Sequence, residues 1–166
     1  MRKSLANRIA LDMVKPDTNE DSLEAQTITC LVYVDKLEEG FRRWERGNYV
    51  APGQERKKGA RAQFETFVQA CPDVPVYHPI VLLVGGDDFY VTCFIDGRHR
   101  FSVLRDSGAD VIKVGLTRNS VRVAARFGIL VELPEELRNI PRRKEHVAYL
   151  KAKGLLPKDK EIKPHE

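Results

Sequence analysis

The stretch FIDGRHRFSVLRDSGADVIKV, residues 94–114, runs from an apolar strand through a glycine turn into a helix and out along a second strand. Phe89 to Ile95 has strand composition, and Gly97 breaks it. Phe101 and Leu104 lie three apart, as on one helical face. Gly108 is placed to close that helix, and Val111 to Leu116 reads as another strand. A glycine between strand and helix lets backbone amides face outward. The first turn of a helix adds unpaired N–H groups that carry about half a positive charge. Such a place attracts phosphate. Gly97, Arg98 and Arg100 are therefore candidate phosphate-binding residues, the two arginines for their planar donors. His99, Arg100 and Asp96 are candidate catalytic residues, because an imidazole exchanges a proton near neutral pH. Asp96 has three open roles: orienting His99, capping the helix, or helping to hold a divalent ion. A solubilising surface turn is the plain alternative for the whole loop.

Working outward, Ile80 to Val84 and Phe89 to Ile95 form a hairpin around Gly85-Gly86-Asp87-Asp88. Thr27 to Val34 is a buried strand, residues 36–46 a short amphipathic helix, and 47–59 a polar, basic loop. Ala60, Phe64, Phe67 and Val68 mark a second helix that stops before Pro72. Downstream, a helix starting near Asn119 or Ser120 is expected, then a strand over 129–133 and a basic helix through Val147 and Leu150. Arg118, Arg122 and Arg126 recur every four residues, so they form one stripe. The stripe either tracks a nucleic-acid backbone, with Arg122 and Arg126 as contacts, or is a solvated helix face. The fold class is mixed α+β. Its expected parts are a flexible arm over 1–24, in which residues 4–14 can form a short helix through Leu5, Ile9 and Met13 before Pro16 and the polar run Asp17 to Ser22 break the pattern, one domain over 25–133, and a basic C-terminal helix and tail over 134–166.

The 166 residues, 42% of them hydrophobic, suffice for one ordinary core. No run approaches the roughly eighteen apolar residues of a membrane helix, and the opening residues lack the apolar block of a signal peptide. The expected compartment is the cytoplasm, with no membrane partner. Cys30, Cys71 and Cys93 form no CxxC pair. His78, His99, His146 and His165 never stand at metal-ligand spacing, so no metal site is expected from them. The net charge of +4 is modest, but its distribution is not even. From 98 to 126, Arg98, Arg100, Arg105, Lys113, Arg118, Arg122 and Arg126 face only Asp106 and Asp110.

The same stretch resembles the central motif of ParB-type domains, in which a strand ending in an Asp-Gly-x-His-Arg-like loop leads into a helix. The resemblance spans Ile80 to Val114. It implies a ParB/sulfiredoxin-like α+β fold with a mixed sheet, short helices and appended terminal segments. Members bind nucleotides, cleave nucleic acid or phosphorylate small substrates, so fold narrows function without fixing it. Sulfiredoxin chemistry uses a cysteine just before the His-Arg pair, where this chain has Arg98. Partition proteins add a DNA reader and a dimerisation domain, for which too few residues follow the core.

The pattern is most similar to plasmid fertility inhibition factors of the oncogenic-suppression type, with a departure at Lys113. That resemblance implies ATPase or DNase activity in the control of DNA transfer. Mg2+ with ATP or another nucleoside triphosphate would be the cofactors. The implied partners are a nucleotide, single- or double-stranded DNA, and a DNA-transfer or secretion component. It also places Thr117, Arg118 and Asn119 near the nucleotide, with helix capping as the other role for Thr117 and Asn119. The alternative function is a non-catalytic inhibitor or regulator that uses the fold as a binding platform.

Overall fold

The structure is a computed structural model that describes residues 1–17, 19–44 and 48–156. Three expectations lie outside the described residues: the end of the helix expected over 36–46, the loop start at Gly47, and the charged tail from 157 on. The chain runs α1 (Lys3–Asp12), β1 (Ile28–Tyr33), α2 (Val34–Arg42), α3 (Ala60–Ala70), β2 (Ile80–Gly85) and β3 (Tyr90–Asp96). It continues through α4 (Arg98–Asp106), β4 (Val111–Leu116), α5 (Arg118–Arg126), α6 (Glu135–Arg138) and α7 (Lys144–Ala152). The four strands form one mixed sheet in the order β1-β4-β2-β3. The outer pairs, β1 with β4 and β2 with β3, are antiparallel, and the central pair of β2 and β4 is parallel.

Because side chains alternate along a strand, register decides which residues share a face. Ile28, Cys30 and Val32 stand beside Leu116, Val114 and Ile112, and Leu116 stands beside Val81. Val81 and Leu83 in turn stand beside Phe94 and Thr92, and all of these side chains are buried. Helices close this face with aromatic rings. Phe41 of α2 meets Phe94 at 4.7 Å between centroids, Phe101 of α4 meets Phe94 at 4.8 Å, and Phe127 behind α5 meets Tyr90 at 5.1 Å. Gly40 interrupts α2 because any side chain there would overlap Thr92 and Tyr90. Close approach of helix to strand offsets its cost in helix propensity, about 1 kcal/mol relative to alanine. On the opposite face Val84 and Ile95 are exposed, and Leu82, Val91 and Cys93 are half-buried.

Two expectations about the ends are corrected. The arm expected over 1–24 is docked through residues 3–14: Ala6, Ile9, Ala10 and Met13 recur at helical spacing and are buried in the same core as the sheet. Backbone bonds from Val14 N to Val76 O (3.0 Å) and from His78 N to Val14 O (2.9 Å) tie the segment down. The strand expected over 129–133 is reduced to one bridge between Val32 and Leu130. Beyond it Leu133 N turns to Leu155 O at 3.1 Å, and Pro134 has no N–H to continue a ladder. The C-terminal segment is likewise docked, with Leu150, Leu155 and Leu156 in the core. Among the described residues no helix is long and apolar enough to cross a membrane.

Met13 tests the docking of α1. Met13→Ala removes a side chain that is 1% exposed and should lower stability by about 2–5 kcal/mol, read as a lower urea midpoint with unchanged slope. An unchanged midpoint would mean that the segment is free.

Candidate phosphate-binding site

Gly97 has φ 86° and ψ 14°, in the left-handed region, and caps α4 with no side-chain hydrogen bond. A Cβ there would lie 2.8 Å from the Pro79 Cα and 2.9 Å from the Arg100 guanidinium. Gly97 is itself buried. Its expected role as a phosphate-facing backbone is therefore corrected: glycine is required for the turn and for the close approach of Pro79, which covers it. Under this turn His78 is fully buried. The carbonyl of Pro79 accepts from its Nδ1 at 3.1 Å, leaving Nε2 to accept from the Thr29 hydroxyl at 3.1 Å. His78 is thus a satisfied core residue.

Outside the turn, His99 and Arg100 line a groove of about 450 Å3 together with Lys57 and the aromatic side chains Phe64, Phe67 and Tyr77. Arg98 does not line this groove. Asp96 does not cap α4, and its Oδ2 accepts from Arg100 Nη2 at 3.0 Å. Arg98 Nε and Arg100 Nε are buried without an acceptor. Buried donors are normally paired, and of these two residues only Arg100 lines the groove.

Burial holds the His99 imidazole below its ordinary pKa, and the charges of Arg98, Lys57 and Arg56 push it the same way, with Glu55 opposing them. The imidazole is consequently neutral at pH 7 and able to accept a proton. Both Glu55 oxygens are occupied, by the amides of Gly59 at 3.0 Å and Arg61 at 3.1 Å. Among the described residues Asp96 keeps Oδ1 without a partner, whereas the lining of the groove itself holds Lys57, His99 and Arg100 and no carboxylate.

The basic loop that carries Arg56 and Lys57 is clasped to α4 by a buried ionic cluster. Arg105 donates to Glu38 at 2.7 Å, to Asp106 at 2.9 Å and to the Val50 carbonyl at 2.6 Å. Tyr49 donates to Glu38, Arg61 pairs with Asp106, and Gly53 N donates to Asp106 at 2.9 Å. Burial alone would raise the Asp106 carboxyl, but these hydrogen bonds and the Arg105 charge hold it below the usual carboxylate range. Glu38 thereby helps hold the loop to α4.

The residues expected beyond β4 go elsewhere. Thr117 caps α5, its hydroxyl accepting from Ser120 N at 3.2 Å, so the helix begins at Arg118, one residue ahead of Asn119. Asn119 is exposed. Arg118 and Arg122 line a different groove. Arg126 donates to the Asp87 carbonyl at 2.6 Å and lies over the Phe127 ring, a clamp on the hairpin turn. None of the five lines the groove at His99. Sequence reasoning missed Arg56, Lys57 and the α3 aromatics. The run Arg56-Lys57-Lys58 was the available signal, but nothing local says that the loop folds back over α4.

A mixed α+β fold whose helix entrance gathers cations is the class that these observations define. No protein-family model matches the chain, and no curated protein matches it in sequence. In structure it is similar to the crystal structure of the oncogenic suppression activity protein, described as a plasmid fertility inhibition factor, in its gold(I) cyanide derivative. The TM-score is 0.55 at 14% identity, over 87% of this chain and 77% of that one. At that identity what the two share is the fold, which agrees with the fold implied by the Asp96–Arg100 loop.

His99 should titrate below the ordinary imidazole value of about 6.5, and Arg98→Gln should move its midpoint upward by removing a like charge. NMR of the ring protons reads both, and a midpoint that ignores Arg98 would contradict the arrangement. Folded His99 and His78 bind protons less readily than in the unfolded chain, His78 through its burial. Stability should therefore fall as pH drops below about 6.5 toward their folded values, and it is regained above that.

Proposed function

We propose that the groove beside α4 binds a nucleotide or nucleic-acid phosphate, and that the protein acts in plasmid fertility inhibition or DNA-transfer control by hydrolysing phosphoester or phosphoanhydride bonds. The observation that carries this reading is the groove that brings Arg100, whose Nε has no partner among the described residues, together with Lys57 beside a neutral His99. Bound phosphate would accept from Arg100 and offset the charges of Arg98, Lys57 and Arg56 around the imidazole. His99 then serves as the general base for an attacking water, and Arg100 and Lys57 neutralise charge that develops on the phosphoryl oxygens. The neighbouring Phe64, Phe67 and Tyr77 give a base or sugar an apolar seat. Similarity to a plasmid fertility inhibition factor supports the biological setting.

The test is incubation with ATP, CTP, single-stranded DNA and duplex DNA, with and without Mg2+. Arg100→Gln should weaken nucleotide binding roughly 10- to 100-fold, the worth of a charged hydrogen bond. His99→Ala should remove turnover while leaving binding nearly intact. Its acid limb should lie below pH 6.5, because protonation disables the base. Retained turnover in His99→Ala, or unchanged affinity in Arg100→Gln, would refute these roles.

A separate observation favours a second reading, a non-catalytic regulator that docks a protein component. The outer face of β2 and β3 leaves Val84 59% and Ile95 44% exposed, side by side with half-buried Leu82, Val91 and Cys93. Contiguous apolar surface of this kind marks interaction sites. Binding through it would be insensitive to salt, whereas phosphate binding weakens steeply as salt rises.

A further inference from the structure

A second groove, of about 440 Å3, is formed by α5, α7 and the segment between them, and it shares no residue with the groove beside α4. Its floor is apolar, built from Val121, Leu133 and Leu150. Arg118, Arg122 and Arg142 stand around it, with His146 and Tyr149 at the α7 side and no carboxylate in the lining. Among the described residues none of these three guanidinium groups is ion-paired, and the one hydrogen bond they make is from Arg142 Nη1 to the Ile140 carbonyl at 3.1 Å. Burial pulls the Arg142 guanidinium down from the usual arginine range, so its charge is partly stripped of water with no counter-ion among the described residues to replace it.

The surrounding field is extended rather than compact. Residues 142–153 hold Arg142, Arg143, Lys144, Lys151 and Lys153 against Glu145 alone. Arg118 and Arg122 are one helical turn apart, a rise of about 6 Å, so they can engage separate anionic groups. Tyr149 is 40% exposed, and its ring lies within 21° of parallel to His146 at 6.0 Å. A string of phosphates explains the spread cations better than a single anion does. An apolar floor with an aromatic wall suits an unstacked base, which a duplex keeps inside its helix.

We propose that this groove binds single-stranded nucleic acid, with phosphates on Arg118, Arg122 and Arg142 and a base against Tyr149. The site stands apart from the one at His99 and does not depend on its chemistry. The test is fluorescence anisotropy of a labelled oligothymidylate with the full chain, across a salt series. The Arg122→Gln/Arg142→Gln variant should bind at least tenfold more weakly, with the slope of log affinity on log salt shallower by about 1.4, two contacts at ~0.7 each for a single strand. Tyr149→Ala should lose roughly fivefold or more with little change in slope. The same losses should appear in a His99→Ala/Arg100→Ala background, so failure of the α4 reading leaves this result readable. Unchanged affinity and slope in both groove variants, with thermal midpoints like that of the parent chain, would overturn the site. Equal competition by duplex would overturn its single-strand character.

Discussion

Gly97 turns β3 into α4 with a positive φ while lying flush against Pro79, and the orientation of everything around the candidate site follows from that turn. Left-handed backbone costs a residue with a side chain roughly 1–2 kcal/mol, and here a Cβ would also meet Pro79. With the turn fixed, the periodicity of α4 sends Phe101 and Leu104 into the core and leaves His99 and Arg100 lining an open groove. Packing and chemistry therefore share one helix. The Phe41, Phe94 and Phe101 rings hold it against the sheet, and its first turn carries the cations.

Those cations repel one another, and the fold spends structure to keep them close. Arg56 and Lys57 come from a loop with little core of its own, held down through Asp106 and Glu38 by Arg105 and Arg61. Removing one member of a buried ion cluster strands the others, at a cost of about 3–5 kcal/mol, so the loop is firmly held. Around the imidazole the charges of Arg98, Lys57 and Arg56 are opposed by Glu55 alone.

Much of this was legible from residues alone, and the parts that were not share a cause. The strands, the hairpin turn and the helix after Gly97 follow from local alternation and turn chemistry, which a window of sequence carries. The resemblance of the Asp96–Arg100 loop pointed to the fold that the chain shares with the oncogenic suppression activity protein. What failed depended on distant partners. The first helix is legible through Leu5, Ile9 and Met13, but its docking is not, because Pro16 and the polar run after it break the pattern and its apolar face meets the core only in three dimensions. Residues 129–133 look like a strand, but β1 accepts them at a single bridge before Leu133 is drawn to Leu155. In the site, Gly97 proved to be a covered hinge, Asp96 a partner of Arg100, and Arg126 a clamp on Asp87. Lys57 and Arg56 went unnoticed because their loop is brought to His99 by a cluster that spans residues 38 to 106.

The most direct measurement is a 1H–15N correlation spectrum of the intact chain titrated with ATP at low salt. If the α4 entrance is the anion site, the amides of His99, Arg100 and Lys57 shift first and saturably, and the Arg100 Nε–H resonance moves downfield as it gains an acceptor. If those resonances stay still while others move, or nothing saturates, the site does not lie at the Gly97 turn and the account built on it is wrong.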